Sequence, residues 1–220
     1  MSDGDEQRVW LTTDTNTSEG SHAYLGLPDG AQSIVIFAND QETMKHGPAG
    51  RFVGDYLRRQ GIATLSTYLL TPYEARIDMQ VGDFHLDLGI LTERLVGATD
   101  WLARRPETQA LKIGYFGAGL GAAAALIAAA ARPQISAVVA RGGKPEPAEL
   151  ALPNVKAPTL FILGEHDAGL LPATHLALDG IKAPGKLEIV PGASHLFEED
   201  GALERMAALA ADWFRQHCAA

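Results

Sequence analysis

Short apolar runs alternating with helical segments constrain this chain more than any other feature. The runs are Ser33–Ala38, Ile62–Leu70, Lys112–Phe116, Ser136–Ala140, Thr159–Leu163 and Leu187–Val190. Each is four to nine residues long, too short for a helix and apolar on both faces. Helical spacing fills the gaps. Pro48–Gln60 carries Phe52, Val53, Tyr56 and Leu57 and stops at Gly61. His85–Arg105 carries Leu88, Leu91, Leu95 and Trp101 on its expected inner face, with Pro106 after it. Gly121–Ala131 is nearly all small residues, and Ala202–Phe214 closes the pattern. Strands buried on both faces and separated by helices predict an α/β fold with a mostly parallel sheet, covered on both sides.

The 220 residues suit one domain, expected over 21–220, after a polar and flexible tail at 1–20. That tail carries five acids and no apolar run, so it reads as neither a signal nor a transit peptide. The net charge of −9 repels phosphate backbones and argues against nucleic acid as a partner. Ala122–Ala131, the longest apolar stretch, is half the length a membrane span needs, so no membrane partner is expected. Cys218 is the sole cysteine, so neither a disulfide framework nor a multi-thiolate metal site is expected, and a cytoplasmic setting fits. Oligomeric state is not legible.

In open parallel sheets, ligands bind beyond the carboxyl ends of the strands. The residues there are Asn39–His46, Tyr68–Thr71, Gly117–Gly121, Arg141–Gly143, Gly164–Asp167 and Pro191–His195. An acid, Asp167, follows one late strand and a histidine, His195, the next. Upstream, a strand runs into the glycine-rich turn Gly117-Ala-Gly-Leu-Gly121. This is the order nucleophile, acid, histidine of α/β hydrolases. The same turn is close to the dinucleotide fingerprint G-x-G-x-x-G/A, with Ala122 at the third position. That fingerprint demands an acid after the following strand, where Ala140 and Arg141 stand, so no cofactor is expected.

From about Ala31 to Phe214 the sequence resembles the small dienelactone-hydrolase-like α/β hydrolases. The resemblance is carried by Ile113–Leu126, Arg141-Gly-Gly143, Ala157-Pro-Thr-Leu160 and Val190-Pro-Gly-Ala-Ser-His-Leu-Phe-Glu-Glu199. It implies the α/β-hydrolase fold, a small-molecule substrate, and a hydrogen-bonded Asp167–His195 dyad able to act as a general base. It also implies a pocket or oxyanion hole near Asn39, Asp40 and Leu120, with His46, Tyr68 and Arg141 as wall residues.

Two departures from the family pattern bear on mechanism. Where the family turn reads Gly-Ala-Ser-Thr-Gly, this chain has Gly119 in the serine's place and Leu120 in the threonine's. Glycine cannot form an acyl-enzyme. Where the family has a His-Gly-rich stretch, this chain has Asn39–Met44, whose Asp40 and Glu42 oppose a developing oxyanion. Ser194 reads as a turn hydroxyl and Cys218 lies at a chain end, so neither replaces the nucleophile. Three functions fit: an enzyme using the dyad without a serine nucleophile; a non-catalytic pseudo-hydrolase that binds a small molecule or protein; and a serine esterase or lactonase inactivated at Gly119.

Overall fold

The computed structural model describes residues 6–12, 20–39, 48–70, 73, 76 and 87–218. Among the described residues, eight strands form one sheet: β1 Glu6–Thr12, β2 Gly20–Gly26, β3 Ser33–Asn39, β4 Ala63–Tyr68, β5 Lys112–Ala118, β6 Ala137–Arg141, β7 Thr159–Gly164 and β8 Gly185–Val190. Their order is β1-β2-β4-β3-β5-β6-β7-β8. From β4 to β8 every pairing is parallel. The pairings β1–β2 and β2–β4 are antiparallel.

Five described α-helices flank the sheet: α1 Pro48–Arg59, α2 Leu88–Ala103, α3 Leu120–Ala131, α4 Leu171–Gly180 and α5 Ala202–His217. On one face Leu91, Leu95 and Leu102 of α2 and the alanines of α3 pack on Ile34, Ile36, Leu65, Tyr115 and Val138. On the other, Val53 and Leu57 of α1 and Met206, Ala210 and Phe214 of α5 pack on Val35, Phe37, Phe116 and Ile162. No helix among the described residues is long and apolar enough to cross a membrane.

Several sequence expectations need correction. Within the loose tail expected over 1–20, Glu6–Thr12 instead forms β1, paired residue by residue with β2 from Glu6↔Gly26 to Thr12↔Gly20, while 1–5 and 13–19 lie outside the described residues. Val9 and Leu11 point into the core, while Arg8, Trp10 and Thr12 face outward. That alternation is the signature of a half-buried strand, in a segment whose charge obscured it. Helix α2 starts at Leu88, where the Asp87 carboxylate caps it by accepting from the Ile90 N–H at 3.1 Å; the expected start at His85 lies outside the described residues. Trp101 does pack against the core from α2 but is only partly buried, with the Arg105 guanidinium 4.4 Å from its ring centre, and Leu102 beside it is fully buried.

The turn between β5 and α3 fixes the centre of the molecule. A Cβ on Gly121 would run into the Ala38 carbonyl oxygen of β3. One on Gly117 would lie 2.5 Å from the Gly121 carbonyl oxygen and 2.7 Å from the Ala122 Cα. These two glycines let the helix backbone lie against the strand ends, which accounts for them without a bound nucleotide. Gly121→Ala is therefore expected to cost about 3 kcal/mol or more by overpacking, read as a lowered urea midpoint at unchanged m-value.

Beyond α3, Arg132 forms a forked pair with Asp100 of α2, at 3.1 Å (Nε–Oδ1) and 2.8 Å (Nη2–Oδ2). Hydrogen bonding from Arg132 holds the Asp100 carboxyl below its ordinary range. A carboxyl depressed on folding stabilises above its unfolded pKa, and that contribution is lost as pH falls through the folded value. Both side chains are about one-third exposed. Asp100→Asn should thus cost less than about 1 kcal/mol at pH 7. The difference from wild type should shrink in urea titrations as pH falls below the ordinary carboxylate range.

Candidate functional site

The site forms where β5, β6, β7 and the turn after β8 end together. Gly119 links β5 to α3 with φ 57° and ψ −128°, a sharp strand-to-helix turn in a backbone region that side chains rarely adopt. Leu120 opens α3, so its N–H is among those a helix leaves without an intrahelical partner. The Gly119 carbonyl accepts from the Ala122 N–H and the Lys144 N–H, each at 3.3 Å. The segment after β6 is thereby tied to the turn.

Asp167 lies in a 3₁₀ segment, Glu165–Leu170, directly after β7. Its Oδ2 is 2.6 Å from His195 Nδ1. A carboxylate only accepts, so Nδ1 donates this hydrogen bond, and in the neutral ring Nε2 is then the nitrogen without a proton. The His195 side chain is 50% exposed and the Asp167 side chain 18%.

The histidine turn is held at several points. Gly164 lets the end of β7 approach it: a Cβ there would lie 2.5 Å from the Ser194 carbonyl oxygen. The His166 N–H donates to the Ala193 carbonyl at 3.0 Å, and the Phe197 N–H to the Ser194 carbonyl at 3.2 Å. The Glu165 carboxylate accepts from the Gly192 N–H at 2.7 Å, and that of Glu199 from the Ser194 N–H at 2.9 Å. The Ser194 N–H, with its hydroxyl beside it, holds the Glu199 carboxyl below the usual range. Glu165 thus braces the turn that carries His195. Arg141, only 5% exposed, donates from Nη1 to the His195 carbonyl at 2.9 Å.

Of the remaining candidates, Asn39 and Tyr68 are paired neighbours at the ends of β3 and β4. Asp40, Glu42 and His46 lie outside the described residues. Sequence reasoning missed Gly142, Gly164, Glu165 and Glu199 as supports. The quoted stretch ending Phe-Glu-Glu199 was the signal that could have pointed to Glu199. Among the described residues, no cluster of three His, Cys, Asp or Glu is placed to hold a metal ion.

The dienelactone hydrolase family model matches residues 52–218. The chain belongs to the dienelactone hydrolase family. It is 43% identical to a dienelactone hydrolase from Anabaena variabilis of known crystal structure, with a TM-score of 0.91 over 98% of this chain and 100% of that one. Est1E from Butyrivibrio proteoclasticus has a TM-score of 0.75 at 15% identity, covering 96% of this chain and 98% of its own, a likeness of fold alone. The fold is that of the α/β hydrolases. Two Mycobacterium tuberculosis proteins provisionally named phosphoribosyl transferases are 44% identical over 195 residues, 88% of this chain. The aligned chain spans 43% of their length.

Phe197 follows His195 by two residues and carries the sole positive φ, 58°, among described non-glycine residues. Its ring is 1% exposed in the core, which keeps the backbone in this region. Both Phe197→Ala and Phe197→Gly should lose about 3–5 kcal/mol of burial. The glycine variant should be the more stable of the two by about 1 kcal/mol, because it relieves the strain. Paired urea titrations measure that order; an alanine variant of equal or greater stability would show the turn to be unstrained.

Proposed function

We propose that the chain is a small-molecule hydrolase that activates water through His195 and Asp167, without an acyl-enzyme. The observation that carries this reading is the 2.6 Å Nδ1–Oδ2 hydrogen bond of a half-exposed imidazole. It sits in a chain whose turn residue, Gly119, offers no nucleophile.

Oriented by Asp167, His195 Nε2 takes a proton as a water oxygen attacks the carbonyl carbon of an ester or lactone. The carbonyl π bond opens to an oxyanion, which accepts from the Leu120 N–H at the positive end of α3. The intermediate then collapses, the C–O bond to the leaving oxygen breaks, and imidazolium returns its proton to that oxygen. Acid and alcohol result, with His195 neutral again. Hydrogen in place of a hydroxymethyl group at residue 119 frees the volume of about one water. Arg141 and the ends of β3 and β4, at Asn39 and Tyr68, belong to the wall of this pocket in the same reading. We assign phosphoribosyl transfer, named for the M. tuberculosis proteins, to the part of them that this chain does not span, because residues 52–218 match a hydrolase family.

The altered Asn39–Met44 segment and Leu120 favour natural divergence over a single inactivating change. A panel of aryl esters and lactones tests the reading. Hydrolysis should proceed with no burst of product, and a serine-directed phosphonate should not label the protein stoichiometrically. His195→Ala should lower kcat/KM by about 10²–10⁴. Turnover unaffected by His195→Ala would refute the dyad as base, and no turnover on any member would favour the binding-protein reading. Gly119→Ser should give only a weak serine esterase, about 10²–10³ below an efficient one, if the oxyanion site has lost a donor.

A further inference from the structure

Two consecutive residues, the last of β6 and the one after it, reach His195 from different sides. The first, Arg141, is buried, and its Nη1 donates to the His195 carbonyl at 2.9 Å. Its guanidinium carbon lies 5.6 Å from the centre of the Phe197 ring, so it spans the turn from the histidine backbone to the strained phenylalanine. The second, Gly142, has φ 53° and donates its N–H to the Ile162 carbonyl of β7 at 2.9 Å. The His195 ring lies over the space that a side chain on Gly142 would fill. A Cβ there would lie 3.0 Å from His195 Cε1, 3.2 Å from Nδ1 and 3.7 Å from Nε2.

The asymmetry of those distances matters. The conflict would fall on the Cε1–Nδ1 edge of the imidazole, the edge bonded to Asp167. Relief by a few tenths of an ångström must lengthen or tilt a 2.6 Å hydrogen bond and re-aim Nε2. The Ile162 bond and the positive φ leave Gly142 little freedom to retreat instead.

We propose that Arg141 and Gly142 are the positioning residues of the Asp167–His195 pair, Arg141 fixing the histidine's backbone and Gly142 the plane of its ring. This rests on His195 being the base, yet its first two tests are independent of turnover. Arg141 then has a task other than holding a substrate anion: its Nη1 is committed to the protein's own carbonyl.

The experiment compares wild type with Gly142→Ala, Arg141→Met and Arg141→Lys. In ¹H–¹⁵N spectra, the low-field His195 Nδ1–H proton should shift upfield or broaden away in Gly142→Ala and Arg141→Met. In Arg141→Lys, whose ammonium can still donate to the carbonyl, it should largely return. A folded Gly142→Ala or Arg141→Met with an unchanged resonance would overturn the corresponding half of the proposal.

A double-mutant cycle covers the case of poor folding. Removing the ring removes the conflict, so Gly142→Ala should lower Tm less in a His195→Ala background than in wild type. An equal loss in both backgrounds would show backbone strain alone and overturn the ring-positioning role. Where an ester is turned over, kcat should fall about 10- to 100-fold in Gly142→Ala with KM changed less than about threefold. A loss confined to KM would contradict positioning. If no ester is turned over, the proposed hydrolysis fails while the spectra and the cycle still decide this proposal.

Discussion

Helix α3 meets the sheet backbone to backbone, and everything else at the site follows from that approach. Gly117 and Gly121 carry it, because a Cβ at either would collide with main-chain atoms rather than with a side chain that could move. A third glycine, Gly143, extends it: a Cβ there would run into the Ala122 side chain. The alanines of α3 then lie flush on Ile34, Ile36, Tyr115 and Val138 in a close-packed layer. With α3 pinned this close, the chain leaving β5 must turn within one residue, and Gly119 takes the positive φ that this demands. Lys144 N–H, bonded to the Gly119 carbonyl, carries the constraint to the end of β6 and so to the residues beneath His195.

The inner parallel strands were legible in the sequence because both faces are buried: a run such as Ser33–Ala38 has no polar side to obscure it. β8, at the sheet edge, buries only Val190 fully and was read from Leu187, Ile189 and Val190 alone. β1 was not legible, since alternate residues face outward and charge breaks its apolar pattern, while β2 is largely buried but opens on Gly20-Ser-His22 and ends on Gly26, which interrupt the apolar run. α4 was missed for a similar reason. Its buried positions reduce to Thr174 and Ala177, too few to set a period. At the site, chain order after successive strands brought Asp167 and His195 forward, and the structure gives them a 2.6 Å hydrogen bond. Gly142 and Gly164 were invisible because what matters there is volume left empty for another segment. Glu165 and Glu199 bond backbone N–H groups, and such acceptors have no fixed spacing in sequence.

Retention of the turn and retention of the dyad carry different weight. The turn at Gly119 is demanded by the packing of α3, whatever the chemistry. A serine there would cost about 1–3 kcal/mol in a region unfavourable to side chains, so glycine keeps the backbone path at lower cost. A sharp turn alone therefore says little about activity. The histidine is another matter. A half-exposed imidazole paired with a carboxylate contributes about 0–1 kcal/mol to stability. Yet Arg141, Gly142, Glu165 and Glu199 all engage its turn, and Phe197 holds a strained φ beside it. The core does not require that much bracing for a pair worth so little to folding. The fold explains the glycine, whereas the bracing of His195 is the part of the structure that supports a chemical role.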